Sequence, residues 1–297
     1  MRGFLKKHLL NAIMFLVLIV GVAVVAYPTV SDYINSKFQT RAVNNYKQTV
    51  EKMPSEEIQK IKVAAQLYNQ ALYKKQSTGT DTAAKFNYDE LLNPNGNGLM
   101  AYIIIPSIDV DLPIYHGTED RVLTSAIGHT EESSLPVGGE NTRAVVLGHR
   151  GLPSMRLFSD LDQLTVDDYF EIHVLNDVLY YKVYDIEIVE PEKLADIRIE
   201  KGKDLFTLVT CTPYGINTHR LLIHGIRIES SEKDHLLSGD AVRVNVIYVA
   251  VGIGLFLWTI TISLIVYLST RHRKNKISQN ELIRRRDILN KYRRRRG

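Results

Sequence analysis

The chain has 297 residues, 45% of them hydrophobic, and a formal net charge of +4. That length accommodates one or two domains with sizeable cores, and the composition is that of a folded chain. The single cysteine excludes an intrachain disulfide framework, and the basic excess gathers in a tail from Arg271 to Arg296, which argues for a membrane surface and against nucleic acid as the partner.

In chain order, a short basic N-terminus (1–7, with Arg2, Lys6 and Lys7) leads into His8 to Tyr27, an apolar run without an acidic residue. At 1.5 Å per residue such a run crosses a hydrocarbon core of about 30 Å. It reads as an uncleaved transmembrane helix over 8–27, because no small-residue cleavage site precedes Tyr27 and Pro28 and the run exceeds a signal-peptide core. A helical segment and connector follow over 28–98: helical character at Val30 to Val50 and at Ser55 to Lys75, separated by Pro54. In the second of these, Ile61, Ala64, Ala65, Tyr68, Ala71 and Leu72 recur at three- and four-residue spacing. Gln76 to Gly98 is polar and turn-rich, a flexible connector by composition.

From Leu99 the period changes. LMAYIII (99–105), DVDLPIY (109–115), RAVVLG (143–148), YFEIHVL (169–175) and VLYYKVYDIEIV (178–189) read as strands. With the stretch Leu205 to Ile228 they predict a mainly β domain over 99–230, a closed or nearly closed barrel of about eight strands. A linker (231–245), a second apolar run (246–268) and the basic tail (269–297) complete the chain. Lysines and arginines flank both spans on their outer ends, so both termini are expected in the cytoplasm and the barrel outside.

Leu205 to Ile228 also carries the chemistry. Cys211 ends one β-branched run and Arg220 opens the next, with Pro, Gly and Asn between them, a hairpin pattern that sets a thiol beside a fixed positive charge. Acyl transfer by a thiol further needs a proton donor for the leaving amine. Of nine histidines, His149 in LGHRGLP stands at a strand end in a loop, where catalytic groups tend to lie, and His129 and His116 remain open as alternatives. His173 and His224 fall within alternating strands, where a structural role is the simpler reading.

TLVTCTPYGINTHRLLIHGIR, with LPIYHGT, SLPVGG, LGHRGLP and LFSDLDQL, resembles the sortase family of cysteine transpeptidases, and within it class C, the pilin polymerases of Gram-positive bacteria. The resemblance implies an eight-stranded sortase-type barrel with N-terminal helices between two transmembrane helices. It also implies Cys211 as nucleophile, His149 as general acid and base, and Arg220 on the substrate and its oxyanion, without cofactor or metal. Its implied partners are the membrane and pilin subunits that carry an LPXTG-like sorting signal and an acceptor lysine. Two alternatives stand beside this: a sortase that joins surface proteins to lipid-linked peptidoglycan precursor, and a non-catalytic membrane-tethered scaffold. The chain departs from class C in two places. Asp81 is not followed by the proline of the usual lid motif, which leaves Asp81 and Phe86 as candidate lid residues, and Thr142-Arg143 stands where the family often has Thr-His.

Overall fold

The computed structural model describes residues 2–232 and, beyond them, 252, 254, 256–261 and 263. The chain divides into two compact units, Met1–Ser238 and Gly239–Gly297. In the second unit the described residues are helical, and Phe256, Leu257, Trp258 and Ile260 are exposed.

The first unit opens with α1, Arg2–Lys52, a single helix that runs through Pro28 where separate helices over 8–27 and 30–50 were expected. An interior proline costs a helix roughly 3 kcal/mol, but propagation on both sides is uninterrupted and the helix continues. Phe15–Lys52 is the one stretch among the described residues long and apolar enough to cross a membrane. Two were expected, and the second, 246–268, falls largely outside the described residues. After Pro54 comes α2, Ser55–Thr78, with Glu56 and Glu57 in its first turn, where the helix dipole favours them. Gly79 ends it in the left-handed conformation, its N–H donating to the Lys75 carbonyl at 2.9 Å. The face it buries carries Ala65, Tyr68, Ala71 and Leu72, as the spacing predicted.

The region 79–98 is less of a loose connector than its composition suggests. Two 3₁₀ turns, Ala83–Lys85 and Tyr88–Glu90, fold it onto the core, where Tyr88, Leu91 and Leu92 are buried.

Eight strands close a barrel in the order β1-β2-β3-β4-β7-β8-β6-β5. They are β1 Leu99–Ile105, β2 Val110–His116, β3 Ile127–His129, β4 Thr142–Leu147, β5 Tyr169–Val174, β6 Asp177–Val189, β7 Asp204–Thr212 and β8 His219–Ile228. Closure removes the unpaired edges of an open sheet. Inside, Phe170, Tyr181 and Phe206 pack with ring centroids 5.3 to 5.6 Å apart, with Leu208 and Ile223 in the same core. Alternate residues of β4, β7 and β8 face outward, and there Val145, Val209 and Leu222 form a second, smaller apolar cluster. Leu194 and Ile197, from the segment between β6 and β7, pack on it.

The outer half of α1 is bonded to the barrel turn by turn. Asp32 accepts from the Arg156 N–H at 2.8 Å, Asn35 donates to the Ser154 carbonyl at 3.0 Å, and Gln39 donates to the Ser125 carbonyl at 3.0 Å. Further along, the Tyr46 hydroxyl donates to the Met100 carbonyl at 2.9 Å and accepts from the Leu175 N–H at 2.7 Å.

Candidate active site

On β7 the alternation that sends Phe206 and Leu208 into the core sends Thr207, Val209 and Cys211 outward. In the antiparallel register with β8, Cys211 pairs with Arg220, Val209 with Leu222 and Thr207 with His224. Paired residues of neighbouring strands share a face at a strand separation of roughly 4.8 Å, so the thiol and the guanidinium rise side by side from one surface. Both residues are half-buried.

The other neighbour of β7 is β4, in parallel register, with Leu147 opposite Val209. Two further residues along each strand bring position 149 level with Cys211. The pairing continues past the end of β4: the Gly148 N–H donates to the Val209 carbonyl at 3.0 Å and the Thr210 hydroxyl donates to the Gly148 carbonyl at 2.7 Å. His149, half-buried, therefore flanks Cys211 on the side opposite Arg220. Glycine is required at 148, because a Cβ there would lie 2.6 Å from the Phe158 ring and 2.9 Å from Ile127.

The loop beyond His149 is fastened to the end of β7 by a residue that sequence reasoning did not single out. Arg150 is only 9% exposed; one guanidinium nitrogen donates to the Thr212 hydroxyl at 3.2 Å and another pairs with Asp162. Its guanidinium also lies over the Tyr214 ring, 5.6 Å from the centroid. A buried Arg is costly unless paired, and the only hint in the sequence was its place next to the histidine in LGHRGLP. Arg220 donates to the carbonyls of Asn217 at 3.2 Å and His219 at 3.0 Å. These bonds to neutral groups orient it without cancelling its charge.

His129, His116, His224 and His173 lie elsewhere and are occupied. His129 is fully buried, with Nε2 2.8 Å from the Ser134 carbonyl and Nδ1 2.9 Å from the Tyr88 hydroxyl, and burial pushes its pKa down to about 4. The His116 ring sits between the carbonyls of Gly98 at 2.9 Å and Leu91 at 2.7 Å. His224 is pushed down to about 4, first by burial and then by the charge of Arg143, which donates to its Nδ1 at 3.2 Å. His173 stacks on Tyr102 and bonds Glu171 at 3.0 Å. Among the described residues no cluster of His, Cys, Asp and Glu is arranged to hold a metal.

Asp81 and Phe86 line a cavity of about 750 Å³ together with Tyr68, Glu131, Arg143 and Val145. Val145 belongs to the outward cluster with Val209, so the cavity and the Cys211 face share one floor. Cys211, His149 and Arg220 do not line it. Asp81 pairs with Lys75 at 2.8 Å, and that bond holds its carboxyl below the usual range. Its other oxygen accepts the N–H groups of Ala83 and Ala84 at 3.0 and 3.1 Å. Phe86 stands edge-on to Tyr68, centroids 5.9 Å apart.

Comparison with known proteins places the chain among the sortases. The Sortase domain matches residues 103–228. By sequence the chain is 25% identical to Sortase A of Bacillus anthracis, over 77% of this chain and 99% of that protein. It is 28% identical to Sortase A of Streptococcus agalactiae serotype III, over 70% of this chain and 80% of that one. By structure it is similar to sortase C1 from Streptococcus agalactiae, with 44% identity, a TM-score of 0.59, and 64% of this chain and 99% of that chain covered. It is also similar to sortase C of Streptococcus pneumoniae, with 37% identity, a TM-score of 0.55, and coverage of 64% and 97%.

Proposed function

The chain belongs to the sortase family of cysteine transpeptidases, in its class C branch, and from that premise we propose that it polymerises pilin subunits at the outer face of the membrane. Cys211, as thiolate, attacks the carbonyl carbon of the threonine in an LPXTG-like sorting signal. The oxyanion that forms faces Arg220, and His149 gives its proton to the glycine amine that leaves. The acyl group then rests on sulfur as a thioester. A lysine amine of the next pilin attacks it and surrenders a proton to His149, and collapse releases the thiolate and leaves a Thr–Lys isopeptide bond.

The observation that carries this reading is the register: Arg220 opposite Cys211 on one side, position 149 level with it on the other. The kinship of the structure from Streptococcus pneumoniae, whose description refers to pilin substrate specificity, supports the choice of substrate. We further take 246–268 as a second span, which sets both termini in the cytoplasm, and the segment at Asp81 and Phe86 as the counterpart of the class C lid, docked in the cavity beside the site instead of over the sulfur.

The test is to incubate the full chain with a sorting-signal peptide and purified pilin and to look for a Thr–Lys isopeptide by mass spectrometry. The polymerase reading expects that linkage and its absence with Cys211→Ala. Linkage only to a peptidoglycan amine makes the enzyme a wall-anchoring sortase, and polymer formation undiminished in Cys211→Ala makes the barrel a scaffold.

A further inference from the structure

The tip of the β7–β8 hairpin carries two large apolar side chains that pack on little: Tyr214 is 62% exposed and Ile216 68%. Single exposed apolar side chains are ordinary on a protein surface, but these two stand together within a few residues of Cys211. The position of α1 supplies a reason. Its continuous exposed apolar run goes from Phe15 through Val25 to Tyr27, with Val30, Tyr33, Ile34 and Phe38 exposed among polar residues beyond it, and Asp32 lies five residues past Tyr27, about 7.5 Å along the axis at 1.5 Å per residue. The headgroup layer on each side of a hydrocarbon core is about 5 to 7 Å deep. Asp32 is thus at the outer edge of the headgroup layer and Asn35, about 12 Å past Tyr27, roughly a turn above it, and both are bonded to the loop after His149, at Arg156 and Ser154.

That loop in turn touches the hairpin tip. A Cβ on Gly151 would lie 3.3 Å from the Tyr214 ring, and Arg150 holds the same ring while bonding Thr212. The membrane helix, the histidine loop and the hairpin tip form one bonded series, and the tip ends it in an aromatic and a branched aliphatic residue. Tyrosines are enriched at membrane boundaries because an apolar ring and a polar hydroxyl suit that layer. Tyr27 and Tyr33 on α1 are both exposed and, about 9 Å apart along the axis, bracket that layer.

We propose that the β7–β8 hairpin tip is a second membrane contact, with Tyr214 and Ile216 seated in the headgroup region of the bilayer that α1 crosses. The contact fixes the site's mouth against the lipid surface, and it depends on the membrane anchor but not on the acyl-transfer chemistry.

Trp258 is the only tryptophan, so Trp258→Phe gives a dark background. In it, Ile216→Trp and, separately, Tyr214→Trp are reconstituted as the full chain in vesicles with and without lipids brominated near the headgroup. Each is expected to lose about half of its emission in the brominated bilayer, as an aromatic ring at that depth does. Leu67→Trp, on the exposed face of α2, is expected to lose none. Emission at 214 and 216 as indifferent to bromine as that at 67 overturns the proposal. So does protection of the two sites from aqueous iodide without bromine quenching, which makes the cover a protein, such as a second copy of the chain.

Discussion

Cys211 and Arg220 are direct cross-strand partners in the β7–β8 ladder, so backbone pairing sets the points from which thiol and guanidinium project, and the Asn217 and His219 carbonyls then orient the guanidinium. A charge held this way is in place before substrate arrives. Removing it with Arg220→Ala is expected to lower kcat by about 10² to 10³ while KM changes little, as for loss of an oxyanion donor. Arg220→Lys is expected to recover only a small part of this, because an ammonium lacks the planar fork that bonds the Asn217 and His219 carbonyls and a substrate at once. Steady-state kinetics on a sorting-signal peptide separates kcat from KM; equal activity of the Lys variant would show that charge alone suffices.

His149→Gln is expected to lower turnover by about 10² to 10⁴, the usual range for a positioned acid and base. His129→Gln and His116→Gln are expected to act through folding, because those rings bond carbonyls and hydroxyls inside the protein. The distinguishing measurement is kcat on protein shown to be folded by near-UV circular dichroism.

Arg150→Met removes the tie between the histidine loop and the end of β7. Loss of bonds to a charged group costs about 1.5 to 3 kcal/mol each, and Asp162 and Thr212 both lose a partner. A lowered denaturation midpoint in detergent is expected, with turnover falling further than stability accounts for as His149 loses its brace. A variant with unchanged midpoint and turnover would mean the loop's bonds to Phe158, Ser159 and α1 suffice without Arg150.

Acid should destabilise the barrel in a defined window. His129 has a folded pKa of about 4 against an ordinary value of 6.5, so the unfolded chain binds the proton first as pH falls. Stability is therefore full above about pH 6.5 and declines toward pH 4, by on the order of 3 kcal/mol for this residue. His224, depressed in the same direction, adds to the decline. Denaturant midpoints across that range are the measurement, and a flat profile would contradict the buried neutral rings.

Asp81 and Phe86 line a cavity that Cys211 does not, and Cys211 is half-buried, so a small alkylating reagent should label Cys211 readily in the resting protein. Phe86→Ala is expected to leave that rate within about twofold, since access to a thiolate and its reactivity are otherwise unchanged. A large acceleration would indicate that the segment visits the site.

Much of this was legible in the residues. Short apolar runs placed β1 at its observed bounds and β2, β4 and β5 to within a residue, the one long alternating run did the same for β6, and turn residues between two β-branched runs placed the Cys211 hairpin. β3 escaped because it has three residues, one of them Gly128, too few for a period to show. The region 76–98 misled for another reason: its polar composition describes its surface, whereas the few residues that anchor it, Tyr88, Leu91 and Leu92, are too sparse to form a pattern. Arg150 and Arg143 were invisible as buried groups, because burial of a charge depends on partners distant in sequence, Asp162 and Thr212 for one, Glu200 and His224 for the other.

The unbroken run of α1 from bilayer to barrel gives the anchor an angular setting as well as a length. Each residue advances a helix by about 100°, so deleting one between Tyr27 and Asp32 would swivel the whole barrel by more than a quarter turn while lowering it about 1.5 Å. The insertion depth would hardly change, yet the compass bearing of the Cys211 mouth would, and with it the direction from which a membrane-held substrate must approach.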